Sequence, residues 1–339
     1  SSSPPAMILY MVALLFFALS GPLMALSSWL PWGGLLAAGP GLLYLLALLA
    51  AGAGLARVLL RRYREGGPEA LLPGALRRLR QSWRLGTAQA PTRDHKAKRR
   101  VVLVTGASQG IGLEVAKALA LDGEHCVLLT ARSHEAGMRA ASSVKVKAPK
   151  GSVLYVPLDV ADRSSLVGAV KYVKTHFGRL DALVNNAGVS ARTQPGSGRY
   201  QRERIVATNA RAVLEVTDAF RSLLASSPQG GHAVTVGSRR GTMAMQQETP
   251  ELRAHVAAAC SSRDAFCSLC QKLVDEAPPW GKAKDVYGAS KALAQAASVL
   301  LAKAHMHADT GVAVSVVCPG MVRTRLGGLA APASAAQGA

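Results

Sequence analysis

The spacing of hydrophobic positions along the chain changes at about residue 100. From there to about residue 317, short runs of β-branched and aliphatic residues alternate with longer stretches in which apolar residues recur at helical spacing. This alternation is typical of βαβ units and predicts an α/β fold with a doubly wound parallel sheet, whose ligands bind beyond the carboxyl ends of the strands. The predicted strands are Val101–Thr105, Cys126–Thr130, Val153–Pro157, Ala182–Asn185, Ala233–Val236 and Val312–Val317.

The first 60 residues follow a different pattern, because residues 1–56 contain no charged side chain. Met7–Leu30 and Leu35–Leu60 are each apolar and, at about 1.5 Å of rise per residue, long enough to cross a hydrocarbon layer of roughly 30 Å. We therefore predict an N-terminal transmembrane helical hairpin at 1–60. Gly-Pro pairs interrupt both segments, so a single span with a re-entrant partner is the alternative. A secretory signal peptide fits less well, because no basic residue precedes the apolar run.

Basic residues follow the apolar segment directly. Residues 57–100 contain thirteen Lys or Arg and three acidic residues, and so carry half of the formal net charge of +20. Positive charge beside an apolar span predicts a juxtamembrane linker at 61–99 and places the C-terminal domain on the cytosol, matrix or stroma side. Ala75–Leu85 is either an interfacial helix that contacts membrane lipid or a solvated piece of this linker. Nucleic acid is not an expected partner, since no surface of interleaved basic and aromatic residues occurs.

The cysteines agree with a reducing compartment. They are odd in number and follow no spacing of a secreted disulfide framework. The chain begins with Ser1 rather than Met, so it is processed, truncated or renumbered, and removal of an organellar targeting segment would produce such a start. We expect an integral membrane protein of the mitochondrial inner membrane or a plastid membrane, with the endoplasmic reticulum as the alternative.

A glycine-rich loop follows the first predicted strand. It reads TGASQGIG from Thr105 to Gly112, and a helical pattern begins after it. Glycines at these positions let the backbone turn tightly and approach a pyrophosphate, which then faces the N-terminus of the helix. The loop predicts a dinucleotide site, although glycines alone would also serve a simple turn.

The Gly-x-x-x-Gly-x-Gly spacing of this loop resembles that of short-chain dehydrogenases/reductases (SDR), and further motifs of that family occur in the family's order. The resemblance covers about residues 100–325 and implies a Rossmann fold of the SDR type. The matching motifs are Asn185-Asn186-Ala187-Gly188 after the fourth strand, Asn209 in the next helix, Ser238 after the fifth strand, Tyr287-x-x-x-Lys291, and Pro319-Gly320 after the sixth.

The resemblance implies a catalytic set of four residues. Tyr287 and Lys291 lie four residues apart on a predicted helix, so the ammonium can favour the phenolate of a side chain whose pKa is ordinarily about 10. By the resemblance, Tyr287 donates a proton to a carbonyl oxygen as hydride arrives from the nicotinamide, Ser238 holds that oxygen, and Lys291 also binds the nicotinamide ribose. Asn209 is implied to support a water-linked proton path to Lys291. Taken alone, Tyr287 and Lys291 would be an ordinary exposed helix pair.

The end of the second strand indicates the cofactor. It reads Thr130-Ala131-Arg132-Ser133, without the carboxylate that commonly bonds a ribose 2′-hydroxyl. Positive charge and donors suit a 2′-phosphate, so we predict NADPH (NADP), the alternative being a surface arginine that merely follows the strand. By the resemblance, Asp159 bonds the adenine amino group. The implied cofactor-binding residues are Gly106, Ser108, Gln109, Gly110, Ile111, Gly112, Arg132, Ser133, Asp159, Asn186, Ala187, Gly188, Tyr287, Lys291, Pro319, Gly320, Val322 and Thr324.

A long segment separates Ser238 from Tyr287, whereas most members of the family have a far shorter one. We predict a helical insert at about 240–284, within an SDR domain at 100–326. The insert resembles that of monomeric carbonyl reductases, in which it covers a surface that other members use to oligomerise. Its Cys267-x-x-Cys270 spacing, with His255 and Cys260, suits zinc only weakly, and the Ala- and Leu-rich surroundings favour packed helical thiols, so no metal is predicted.

The C-terminus departs from the family pattern. Beyond Thr324, members usually continue through a substrate-covering loop, a helix and a seventh strand, whereas this chain continues with a small-residue tail at 327–339. Without those elements, the nicotinamide side of the cleft and a sheet edge are exposed. Either another subunit or the membrane covers them, or catalysis is compromised. The leading hypothesis is a membrane-anchored NADPH-dependent reductase of a hydrophobic ketone or aldehyde. The alternative is an accessory subunit of a large organellar membrane complex that retains an NADPH-binding SDR fold.

Overall fold

The computed structural model describes residues 99–148, 152–193, 198–246, 250–276, 286–307, 310–328 and 331–339. The predicted transmembrane hairpin, the linker up to residue 98 and the predicted interfacial helix Ala75–Leu85 lie outside these residues. Within the described ranges, no helix combines the length and the hydropathy that crossing a bilayer requires.

The predicted doubly wound parallel sheet is confirmed. Its strands are β1 (Arg100–Val104), β2 (His125–Ala131), β3 (Ser152–Pro157), β4 (Ala182–Asn185), β5 (His232–Val236) and β6 (Ala313–Val317), and each lies within one residue of its predicted bounds. They pair in parallel in the order β3-β2-β1-β4-β5-β6. The order reverses between β1 and β4, and a crevice for a dinucleotide forms at such a reversal.

Helices cover both faces of this sheet, and several begin at a residue whose side chain caps the first turn. Asp162 accepts from the backbone N–H groups of Ser164 and Ser165, and Ser262 accepts from that of Ala265. The helices are α1 (Gly110–Leu121), α2 (His134–Lys147), α3 (Arg163–His176), α4 (Gly198–Val206), a π-helical turn (Ala207–Arg211), α5 (Ala212–Ala225), α6 (Arg239–Gln246), α7 (Pro250–Ala259), α8 (Arg263–Asp275) and α9 (Val286–His307).

Two apolar layers hold the helices against the sheet. Successive residues of β1, such as Leu103 and Val104, point to opposite faces of the sheet, and both are fully buried. One layer packs against α3 and α5, for example through Phe220, and the other packs against α1 and α2. Each fully buried aliphatic or aromatic side chain contributes about 1.5–3 kcal/mol, which explains why the strands read as continuous hydrophobic runs.

The segment between Ser238 and Tyr287 contains α6, α7 and α8. Phe266, Leu269 and Leu273 of α8 are buried in one cluster with Leu293 and Ala297 of α9. The insert therefore covers an apolar face of α9. That this cover keeps the domain monomeric stays a prediction.

The C-terminal residues fold back on the segment that follows β6. Ala333 pairs with Val322 through a parallel bridge, and the backbone N–H of Arg323 donates to the carbonyl of Ala333 over 2.6 Å. A Cβ at Gly338 would lie 2.5 Å from Cγ2 of Val322, so a small residue is required there. The predicted tail is thus packed where the structure describes it, because its small residues let two backbones approach closely.

Candidate active site

The glycine-rich loop joins β1 to α1 and needs its glycines. Gly106 has a φ of +62°, and a Cβ there would lie 2.9 Å from Cα of Ala187. A Cβ at Gly112 would lie 2.3 Å from Nδ2 of Asn186. The loop after β1 and the loop after β4 are therefore in direct backbone contact.

Hydrogen bonds tie these two loops together. Nδ2 of Asn186 donates to the carbonyl of Thr105 over 2.7 Å, while Oγ1 of Thr105 accepts from the backbone N–H groups of Asn186 and Ala187 at 2.9 and 3.0 Å. The predicted residues Asn186, Ala187 and Gly188 thus line the crevice opposite the glycine-rich loop.

The start of α1 suits the pyrophosphate of a dinucleotide. Its N-cap residue, Gln109, makes no side-chain capping bond, and the first turn carries no acidic residue. Ser108 and Ile111 are half-buried in the same loop and Gln109 is exposed. The loop provides uncapped N–H groups and room for close approach, so these residues fit the implied cofactor.

Lys291 lies at the centre of the predicted catalytic set. It is 4% exposed, and its Nζ donates to the carbonyl of Val236 over 2.7 Å, two residues before Ser238. A Cβ at Gly188 would lie 3.6 Å from both Nζ of Lys291 and Oδ1 of Asn209, so Gly188 separates these two polar groups. Burial lowers the pKa of Lys291 to about 8, while negative charge on the nearby Cys318 acts in the opposite direction.

Asn209 connects the loop after β4 to α9. It lies in the π-helical turn, a local distortion that often occurs at functional sites. Its Oδ1 accepts from the backbone N–H of Val189, and its Nδ2 donates to the carbonyl of Val189 and to Oγ of Ser290, all within 2.8–2.9 Å. Ser290 in turn donates to the carbonyl of Tyr287 over 2.8 Å.

Ser290 therefore joins Asn209 to the turn of α9 that carries Tyr287 and Lys291. Ser290 is not among the residues predicted from the sequence. A signal was present, because a serine inside a helix commonly bonds back to the carbonyl three or four residues earlier.

Ser238 follows β5 and is half-buried. Its Oγ accepts from the backbone N–H of Arg240 at 3.2 Å, and its carbonyl accepts from Nε2 of Gln295 at 3.4 Å. Gln295 lies one turn after Lys291 on α9, and Tyr287 lies one turn before it and is half-buried. The structure thus connects all four predicted catalytic residues to one helix, through Ser290, Val236 and Gln295.

The predicted adenosine end lies at the carboxyl ends of β2 and β3. Arg132 is exposed, and Ser133 caps α2 by accepting from the backbone N–H of Ala136 at 3.3 Å. Oδ1 of Asp159 accepts from the backbone N–H of Ala161, and Oδ2 lies 3.6 Å from a guanidinium nitrogen of Arg204 on α4. Because this ion pair is partly exposed, it contributes little to stability, and Asp159 can exchange that partner for a ligand.

The segment after β6 reaches the glycine-rich loop near the start of α1. Cγ2 of Thr324 lies 3.3 Å from the position of a Cβ on Gly110. Gly320 has a φ of +78°, which allows the chain to turn after Pro319. Val322 is buried with its side chain against Gly338. Of the residues predicted after β6, Thr324 is therefore the one that the structure brings to the loop.

The cysteines of the insert have surroundings that differ from a metal site. Burial raises the pKa of Cys270 to about 12, whereas Cys267 is exposed. Across the described ranges, no three His, Cys, Asp or Glu side chains lie close enough together to share a metal ion.

A depression of about 430 Å³ lies at the opposite edge of the sheet, among residues such as His125, Asp181, Gly231 and Gly311. It is formed at the amino ends of the strands and contains none of the predicted site residues. Ligands of doubly wound sheets bind at the carboxyl ends, so the crevice beside Lys291 is the better candidate.

Comparisons with known proteins agree with this geometry. The family model described as short chain dehydrogenase matches residues 100–281. Carbonyl reductase [NADPH] 1 of Sus scrofa is 29% identical over 248 residues, which are 71% of this chain and 84% of the relative. The (+)-neomenthol dehydrogenase of Arabidopsis thaliana is 44% identical over 92 residues, which are 26% of this chain and 31% of the relative. Among solved structures, salutaridine reductase from Papaver somniferum has a TM-score of 0.63 at 25% identity, over 71% of this chain and 92% of that chain.

Proposed function

The chain belongs to the short-chain dehydrogenase family, and from this premise we propose that it is an NADPH-dependent reductase of a hydrophobic ketone or aldehyde. Members of this family are oxidoreductases that bind a nicotinamide cofactor. The observation that carries the proposal is the set of contacts made by α9. This helix carries Tyr287 and Lys291, and it contacts Asn209 through Ser290 and the strand before Ser238 through Val236.

These side chains have complementary roles in carbonyl reduction. When bound, the nicotinamide supplies the hydride that adds to the carbonyl carbon. Tyr287 donates its phenolic proton to the carbonyl oxygen, and Ser238 donates a hydrogen bond to the same oxygen. The Lys291 ammonium stabilises the phenolate that remains after the proton has left. Asn209 keeps the loop after β4 against α9 while this happens.

Two features support NADPH as the cofactor. The exposed Arg132 follows β2 directly, beside the start of α2, and no carboxylate takes the place that a ribose 2′-hydroxyl would need. The relative from Sus scrofa is named as an NADPH enzyme.

Two features support an apolar substrate. Met243 in α6 and Met321 after β6 are 46% and 68% exposed, and both follow the carboxyl end of a strand at the substrate side of the sheet. The relatives are named for carbonyl compounds, neomenthol and salutaridine. The uncharged residues 1–56 support anchoring in a membrane, from which such a substrate is reached.

The experiment measures turnover of a panel of apolar ketones and aldehydes by the full chain in mild detergent. Turnover is monitored as the oxidation of NADPH. Replacing Tyr287 by Phe removes the proton donor, so we expect turnover to fall about 10²- to 10⁴-fold while the chain still binds NADPH. The matched control is Tyr200→Phe, because Tyr200 is a half-buried tyrosine of α4 outside the catalytic set.

Unchanged turnover in the Tyr287→Phe variant would contradict the mechanism. A wild-type chain that binds NADPH, reduces none of the panel and migrates with a large assembly would favour the accessory-subunit alternative.

A further inference from the structure

The segment after β6 places a guanidinium over the glycine-rich loop. With the Gln109 amide oriented so that its oxygen faces Arg325, Nη2 and Nε of Arg325 lie 3.0 and 3.3 Å from that oxygen. The preceding residue, Thr324, lies against Gly110. Two adjacent residues of this segment thus contact two adjacent residues of the loop, the N-cap and the first residue of α1.

The far end of the same segment is held on the other side of the crevice. Nη2 of Arg192, in the loop after β4, donates to the carbonyl of Leu326 over 3.5 Å. A Cβ on Gly328 would lie 3.1 Å from the same nitrogen. The segment therefore crosses from the loop after β1 to the loop after β4, and Arg325 is positioned within that crossing.

The guanidinium of Arg325 is exposed, and the described residues around it provide no opposite charge. Within the described part of the chain, no carboxylate lies within ion-pair distance of its guanidinium. The start of α1 is itself positive, because its N–H groups are uncapped and its first turn lacks an acid. The guanidinium of Arg325 is thus held by a neutral amide next to an uncapped helix start. This arrangement suits an anion that accepts hydrogen bonds through two oxygens.

We propose that Arg325 is a cofactor-binding residue that makes a bidentate contact with the pyrophosphate of the dinucleotide. The inference rests on the proposed function, since it assigns a residue to the cofactor of that reaction. Gly110 and Gln109 belong to the loop that faces the pyrophosphate, whereas Arg132 lies at the end of β2, where the 2′-phosphate is expected. Arg325 therefore acts on a group that NADPH and NADH share, and Arg132 acts on a group that only NADPH has.

The test is titration of NADPH and NADH into the 339-residue chain in mild detergent, with Kd read from cofactor fluorescence. Arg325→Ala should weaken both cofactors by a similar factor of about 10 to 100, the range expected for lost hydrogen bonds to a charged group. Arg132→Ala should weaken NADPH more than NADH. The matched control is Arg323→Ala: Arg323 is exposed like Arg325 and lies two residues earlier, but it is not the residue that contacts Gln109, so neither Kd should change more than about 2-fold.

A second variant, Arg325→Gln, keeps a polar side chain of similar reach and should show the same loss, because the charge is removed. Melting curves without cofactor check that each variant is folded. An unchanged affinity of folded Arg325 variants for both cofactors would overturn this proposal alone. A loss confined to NADPH would also overturn it, because Arg325 would then contact the 2′-phosphate. A wild-type chain that binds neither cofactor would overturn the proposed function together with it.

Discussion

The two outer strands of the sheet differ in how they are covered. β3 ends one side of the sheet, and all six of its residues are buried. β6 ends the other side, and none of its residues is buried, with Val316 and Val317 at 37% and 47% exposure. Crossover helices cover β3, and the ring of Tyr155 is fully enclosed beneath α2 with its hydroxyl donating to the carbonyl of Ala131.

This difference separates the two tasks of the site. In the proposed function, the closed side binds the adenosine half of the cofactor, which takes no part in the hydride transfer. The open side carries Cys318, directly after β6, and in the proposed function the substrate enters and leaves on this side. We therefore expect local stability to be higher around the buried strand β3 than around the exposed strand β6.

Adding one methyl group on the closed side should have the largest effect. A Cβ at Gly137 of α2 would lie 2.0 Å from Cε2 of Tyr155 in a fully buried site. Gly137→Ala should therefore lower the free energy of unfolding by about 3 kcal/mol in urea denaturation. Tyr155→Leu in the same chain should restore part of it, since it removes the ring that the methyl group meets.

The matched glycine on the open side is Gly311, two residues before β6. A Cβ there meets no atom within 4 Å. Gly311→Ala should therefore lower the free energy of unfolding by only about 1 kcal/mol, the cost of placing an alanine in a left-handed conformation with a φ of +64°. Equal losses of unfolding free energy in Gly137→Ala and Gly311→Ala would contradict the difference in packing between the two edges.

The strands and the glycine-rich loop could be predicted because their signals are local. Buried parallel strands read as continuous β-branched runs, and the glycines of the loop follow a fixed spacing. Gln295 and Arg325 were missed because their contacts join segments far apart in the sequence, to Ser238 and to Gln109. The local sequence around each of these residues does not indicate its distant partner, so the contacts could be identified only from the fold.

The second largest effect concerns Lys291, the buried charge on the open side. Its pKa in the folded chain is about 8, against an ordinary value of 10.5. Below pH 8 the lysine is charged in both states, and its burial costs roughly 3 kcal/mol. Between pH 8 and 10.5 the unfolded chain binds the proton that the folded chain has released, so stability rises with pH in this window.

Lys291→Met should therefore be more stable than the wild type by about 1–2 kcal/mol at pH 7, after the loss of the hydrogen bond to Val236, while turnover is lost. The advantage should shrink as pH rises from 8 to 10 in urea denaturation. Lys303→Met, at an exposed position of the same helix, should show no such trend. A pH-independent difference between Lys291→Met and wild type would contradict the assignment of a depressed pKa.

The smallest effect tests whether β6 is open in solution. Val317→Thr replaces a methyl group by a hydroxyl at a position that is 47% exposed, so water can solvate it and the free energy of unfolding should change by less than about 0.5 kcal/mol. The same replacement at Val156 of β3, which is fully buried, leaves a hydroxyl without a guaranteed partner and should cost about 1–3 kcal/mol. Urea denaturation of both variants compares the two changes in the free energy of unfolding. If Val317→Thr lowered the free energy of unfolding as much as Val156→Thr, another part of the chain or a partner would cover β6 in solution. The two edges would then differ only in what covers them.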